Sequence, residues 1–175
     1  MANRAPKKLS PEELWEYALR VLGNRAHSSA ELSKKLQRRA QSSLDVSSVM
    51  SKLREYGLAD DKKFSESFAS ARLANSGLGR FRVLRELRAK QVSPKIAESA
   101  VSAAFAGTDE EGLAEKFLLR KYRGKDMATF LSEEKNLAGA YRRLRTGGFS
   151  AGATLSVLKR YSRRAEDFDE AEEAE

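Results

Sequence analysis

The side chains with the most chemistry in this chain are its arginines. Arg72, Arg80, Arg82, Arg85 and Arg88 crowd one stretch, and Arg120, Lys121, Arg142, Arg143 and Arg145 crowd another. A guanidinium keeps its charge and offers a planar fork of donors that matches the paired oxygens of a carboxylate or phosphate. These ten residues are therefore the candidate partner- or DNA-binding set. Each one alone reads equally well as an ordinary exposed charge; their clustering is what favours function.

Catalytic chemistry is poorly served. His27 is the only histidine, so a multi-histidine metal site is excluded and a loop or cap role fits it better than that of a base. There is no cysteine, which removes disulfides, thiolate metal ligands and cysteine nucleophiles. Gly77-Leu78-Gly79-Arg80 lacks the lysine and the hydroxyl residue of a phosphate-binding P-loop. The glutamates fall mostly at helix starts, on solvated faces or in the tail, where paired acid and base chemistry is not implied. Trp15 and the phenylalanines recur at helical spacing, as packing residues do. The expectation is a binding protein rather than an enzyme, with no cofactor and no metal.

Lys and Arg total 33 against 25 Asp and Glu, a formal net charge of +8. Ala165 to Glu175 holds seven acidic residues and no basic one, so the rest of the chain has 33 basic against 18 acidic residues, a surplus of 15. Such a body attracts polyanions, the more weakly as salt rises. The tail is expected to be disordered and to serve solubility, with competition against nucleic acid for the basic surface as the sharper alternative. No apolar run reaches the roughly 18 residues of a membrane span, and MANRAPKKLS has no apolar core of a secretory signal. A cytoplasmic protein without membrane contact, by default a monomer, is expected.

The elements that must position the basic residues are helices. Ser10-Pro11-Glu12-Glu13 combines an N-cap, a proline at the first helical position and a capping-box glutamate; Leu14, Ala18, Val21 and Leu22 follow as a stripe. Ser28 to Glu31 is a second capping box ahead of Leu32 and Leu36. Val46, Val49, Met50 and Leu53 mark a third helix ending near Gly57. Asp60 and Asp61 open the next, with Phe64, Phe68 and Ala71 as its inner face, and Asn75, Ser76, Gly77 and Gly79 break it. In the segment that follows, Leu84 and Leu87 lie on one side, flanked by Phe81 and Val83, with Arg82 and Arg85 opposite. Ser93-Pro94 starts a helix striped by Ile96, Ala97, Ala100, Val101 and Ala104. Thr108 to Glu111 reads as another capping box, before Phe117 and Leu118. Residues 124–135 read as a connecting loop with a short helical turn. Leu137, Ala140, Tyr141 and Leu144 form a stripe ended by Gly147-Gly148, and Ser150 caps a helix carrying Ala151, Leu155 and Leu158.

The pattern repeats. KKLQRRAQSSLDVSSVM, RELRAKQVSPKIAESAV and RRLRTGGFSAGATLSVL each place two charged residues before a leucine, then a break and another helix; Leu36, Leu87 and Leu144 are 51 and 57 residues apart. That period suits three helices with their loops. The expected fold is all-α: three tandem three-helix repeats, helix-turn-helix-like, stacked into an elongated curved molecule. The expected divisions are a flexible basic arm over 1–9, repeats over 10–58, 59–106 and 107–162, the last with an internal insertion, and the acidic tail over 163–175.

Over roughly Glu12 to Tyr161 the chain resembles the RecX family of regulators of the RecA recombinase. The resemblance rests on ALRVLGNRAHSSAELSKKL, GLADDKKFSESFASAR, GRFRVLRELRAKQVSPKIAESAV and LRTGGFSAGATLSVL, taken in order and spacing. It implies three three-helix repeats that dock in the groove of RecA filaments on DNA, touch adjacent protomers and lower ATP hydrolysis, strand exchange and repressor cleavage, so modulating recombination, DNA repair and the SOS response. Two positions depart from the family pattern. Leu58-Ala59 precedes Asp60-Asp61 where an aromatic and a small polar pair are frequent, and Gln91 replaces the glycine that would take a left-handed cap. The alternative is a sequence-nonspecific DNA-binding protein acting through its basic helices; a purely structural scaffold would show neither behaviour.

Overall fold

A computed structural model describes residues 7–166. Its helices are α1 (Pro11–Asn24), α2 (Ser29–Gln37), α3 (Ser43–Glu55), α4 (Asp61–Ala71), α5 (Arg80–Ala89), α6 (Pro94–Ala104), α7 (Glu110–Lys121), α8 (Met127–Leu131), α9 (Glu134–Gly147) and α10 (Ala151–Lys159). Among the described residues there is no strand, only an isolated parallel bridge between Leu9 and Ala40. The fold is all-α and built from three-helix repeats. No helix of the described residues is long and apolar enough to cross a membrane.

The helix starts follow from local chemistry. Ser10 and Ser28 each accept from the backbone N–H three residues on, and Glu13 and Glu31 reach back to the cap N–H, so both capping boxes form. Ser42 makes a third with Asp45. Asp60 accepts from the N–H groups of Lys62 and Lys63 at 2.9 and 3.0 Å. The cap of α7 lies one residue later than Thr108: Asp109 accepts from Gly112 N–H at 3.0 Å. An Asp carboxylate accepts more strongly than a Thr hydroxyl, which moves the start.

The contacts divide the chain into two compact units, Met1–Phe68 with Leu87–Ala100, and Ala69–Glu86 with Val101–Glu175; α4, α5 and α6 contribute residues to both. The first unit is built around Leu14, Ala18, Leu32, Leu36, Val49, Met50 and Leu53. Leu9 packs against this core and donates its N–H to the Arg39 carbonyl at 2.8 Å, so the end of the basic segment is tied down. The second unit is built around Phe117, Leu118, Leu137, Ala140, Leu144, Phe149 and Leu158. Residues 124–135 contain α8, whose Met127 and Leu131 are buried in that same core. Arg163–Glu166 forms a 3-10 turn with Ala165 fully buried, while the rest of the expected acidic tail, 167–175, and the arm over 1–6 lie outside the described residues.

Two inner faces differ from the expected ones. In α5 the buried pair is Val83 and Leu87, both inaccessible, while Leu84 is half-buried and Phe81 is 51% exposed. In α4 the small residue turned inward is Ala69; Ala71 is exposed. Both pairs of alternatives keep helical spacing, so periodicity alone does not separate them. The break after α4 is a π-helical turn, Arg72–Ser76, closed by Gly77 at φ 57.

Helix ends show a shared device. At the end of α9, Gly148 takes φ 96, its N–H reaches Arg145 O at 3.1 Å, and Phe149 N–H reaches Leu144 O at 3.3 Å. The same Schellman pair closes α5, where Gln91 N–H reaches Arg88 O at 2.9 Å and Val92 N–H reaches Leu87 O at 3.2 Å. Gln91 takes φ 60 there. The left-handed cap therefore forms without glycine, held by the burial of Val92 and Leu87.

Candidate binding surface

The start of α5 is set by the end of α9. Gly79 N–H donates to Gly147 O at 3.0 Å and Phe81 N–H to Gly148 O at 3.1 Å, so α5's first orphan donors meet α9's last carbonyls. This brings Arg82 beside the basic end of α7 and the outer face of α9. Between them is a cleft of about 500 Å³ whose rim carries Arg82, Lys121, Arg142 and Arg143. Among the described residues no carboxylate lines it. Phe117 and Leu78 form its apolar floor, and Gly139 and Gly147 keep its α9 wall low. A side chain at Gly147 would crowd the edge-on Phe117 and Phe149 rings, whose centroids are 5.4 Å apart.

The cations are steadied by rings. Lys121 and Arg120 each lie 5.7 Å from the Phe117 centroid, and Arg143 lies 5.6 Å from that of Tyr122. Arg82 and Arg72 both pair with Glu86 at 2.9 Å, one on each carboxylate oxygen. Glu86, with its side chain 21% exposed, thus fixes Arg82 at the rim while offsetting part of its charge.

The ten predicted residues sort by what they touch. Arg82, Lys121, Arg142 and Arg143 are brought together at the cleft. Arg85 donates to Thr146 O at 3.1 Å, Arg145 to Phe149 O at 3.0 Å, and Arg120 to Ser76 O, each satisfying a carbonyl at or just past a helix end. Arg80 is exposed beside Phe105 and Glu110 in a smaller hollow. Arg88 belongs to the other unit and pairs with Glu98 at 3.0 Å. His27 is buried, with Nδ1 2.8 Å from Arg25 O; burial pushes its pKa down, the hydrogen bond to the Arg25 carbonyl opposes this, and the net direction is downward. No metal-binding group of acidic, histidine or cysteine side chains occurs among the described residues.

Sequence reasoning missed a second polar cluster, in the first unit. Glu31 accepts from Lys90 Nζ at 2.9 Å, Ser28 Oγ donates to Lys90 O at 2.7 Å, and Asp61 accepts from Ser29 N–H at 2.7 Å. Burial works against ionisation of Glu31, but hydrogen bonds from Lys90, Arg25 and Ser28 prevail and bring its pKa from 4.5 to about 2. Lys90 also lies 5.5 Å from the Phe68 centroid. The capping-box letters announced Glu31; nothing local announced Lys90, 59 residues on.

Residues 60–101 match the family profile described as RecX, second three-helix domain. "Regulatory protein RecX" of Mycobacterium sp. (strain JLS) is 31% identical over 150 residues, covering 84% of this chain and 80% of that one. The protein of the same name from Streptomyces coelicolor is 29% identical over 162 residues, covering 90% and 84%. The crystal structure of RecX from Lactobacillus salivarius superposes with a TM-score of 0.65 at 22% identity, covering 86% of this chain and 96% of that one.

Proposed function

The chain belongs to the RecX family of regulatory proteins, and from that premise we propose that it binds RecA filaments on DNA and reduces their ATP hydrolysis, strand exchange and promotion of repressor cleavage. The observation that supports this reading is the cleft rimmed by Arg82, Lys121, Arg142 and Arg143, with no carboxylate among its described lining residues. A filament on DNA presents two kinds of anion to such a cleft, protein carboxylates and backbone phosphates. Guanidinium forks bind either in pairs, and the ring-steadied Lys121 and Arg143 enter the contact with less freedom to lose. Regulation by binding needs no catalytic group of its own.

The test is RecA ATP hydrolysis on single-stranded DNA with and without this protein, paired with binding of the protein to the same DNA in the absence of RecA. Inhibition at concentrations where bare-DNA binding is negligible is the expected result. Inhibition that follows DNA coating step for step would instead assign the protein to nonspecific DNA binding, and no inhibition would remove the RecA reading.

A further inference from the structure

We propose that Phe81 is a stacking platform for an unpaired base, so that the first turn of α5 is a contact site for single-stranded nucleic acid. Phe81 is the second residue of α5 and is 51% exposed, the most exposed phenylalanine among the described residues. Phe64, Phe68, Phe117, Phe130 and Phe149 each lie against another ring. Among the described residues neither a ring nor a cation covers the face of Phe81. The core does not use it either, because α5 buries Val83 and Leu87 instead. Its mount is stiff: Phe81 N–H donates to Gly148 O at 3.1 Å, and Gly79 N–H to Gly147 O at 3.0 Å. With that backbone held, only two side-chain torsions remain to be ordered on contact.

The surroundings of the ring are cationic. Arg80 and Arg82 leave the helix about 100° to either side of Phe81, and Arg85 follows one turn on. Arg80 and Arg85 are exposed, while Arg82 opens onto the cleft with Lys121, Arg142 and Arg143. The neighbouring carboxylates are engaged, Glu86 with Arg72 and Arg82, and Glu110 with the N–H and hydroxyl of Ser150. Charge decides the occupant. The core of a protein interface surrounds such a ring with apolar side chains and is poor in charge, whereas the exposed neighbours of Phe81 along this turn are Arg80 and Arg85. A single strand supplies both halves of the contact: phosphates for the guanidinium groups, and base faces for the ring, without sequence preference. A duplex supplies the phosphates alone, because its bases are stacked on one another. The inference goes beyond the proposed function, which uses only the charge of the cleft.

The test titrates the full chain at low salt with three fluorescent probes: an oligothymidylate, an abasic strand of the same length and charge, and a DNA hairpin duplex. Phe81→Ala is expected to weaken oligothymidylate binding about 5-fold or more, with the log–log salt slope unchanged because no phosphate contact is lost. Its affinities for the abasic strand and the duplex should equal those of the unsubstituted chain, and Phe81→Trp should retain or strengthen oligothymidylate binding. Circular dichroism should show unchanged helicity, since the ring is exposed. An equal loss on the abasic strand would make the ring a prop for the arginines and overturn the stacking. So would an oligothymidylate affinity that is unchanged or absent; weaker inhibition of RecA ATP hydrolysis by the same variant would then assign the ring to a protein contact. The three binding measurements contain no RecA, so failure of the stacking leaves the proposed function standing, and failure of that function leaves this test intact.

Discussion

Gly79 and Gly148 approach so closely that a Cβ on Gly79 would lie 2.2 Å from the Gly148 carbonyl oxygen. The contact joins the start of α5 to the end of α9 and so sets Arg82 at the cleft. Gly79→Ala must push these backbones apart, and overpacking of this kind costs about 1–3 kcal/mol or more. Gly152→Ala is the matched control, because nothing lies within 4 Å of a Cβ there and the site is inside α10. It should stabilise by about 0.5–1 kcal/mol. Thermal unfolding followed by circular dichroism should show opposite shifts; equal shifts would mean the close approach is not rigid.

Gln91 holds a left-handed cap that costs a residue with a Cβ roughly 1–2 kcal/mol. Gln91→Gly removes that strain but gains freedom in the unfolded chain. The expected net effect is stabilisation of a few tenths to about 1 kcal/mol, read as a higher denaturant midpoint with unchanged slope. A loss of stability would show that the Gln91 side chain does more than tolerate its backbone.

These two positions show where the sequence stopped informing. Caps and stripes are local, so Ser10 with Glu13, Ser28 with Glu31 and the buried leucines Leu36, Leu87 and Leu144 were legible. Gly79 looked like a break and Gln91 like a missing cap, because the partner that explains each lies in packing: Gly148 for one, buried Val92 and Leu87 for the other. At the site, residue type was legible and allocation was not. Arg85 and Arg142 are the same letter on neighbouring helices, yet one satisfies a helix-end carbonyl and the other rims the cleft.

Glu31 predicts a pH dependence with a definite sign. Its folded pKa, about 2, lies below its ordinary 4.5, so the stability it contributes is fully present above about 4.5 and is lost as pH falls towards 2. Glu31→Gln should cost about 1 kcal/mol at neutral pH, through the capping box and the Lys90 pair. The gap between the two proteins should close on acidification across that window. A gap independent of pH would assign the loss to the cap alone.

Lys121, Arg142 and Arg143 test what the cleft recognises. All three are exposed at its rim, and none closes a helix end as Arg85 does. Replacing the three by glutamine should therefore leave helicity intact while weakening inhibition of RecA ATP hydrolysis by about 10-fold or more, given the 1.5–3 kcal/mol typical of a single hydrogen bond to a charged group. Salt identifies the anion. If the three contact DNA phosphates, each releases counterions, and the log–log dependence of binding on salt should flatten by about 2. If they contact RecA carboxylates, inhibition should fall while the bare-DNA salt slope holds. Undiminished inhibition by the folded triple variant would move the binding surface elsewhere, with exposed Arg80 as the next residue to change.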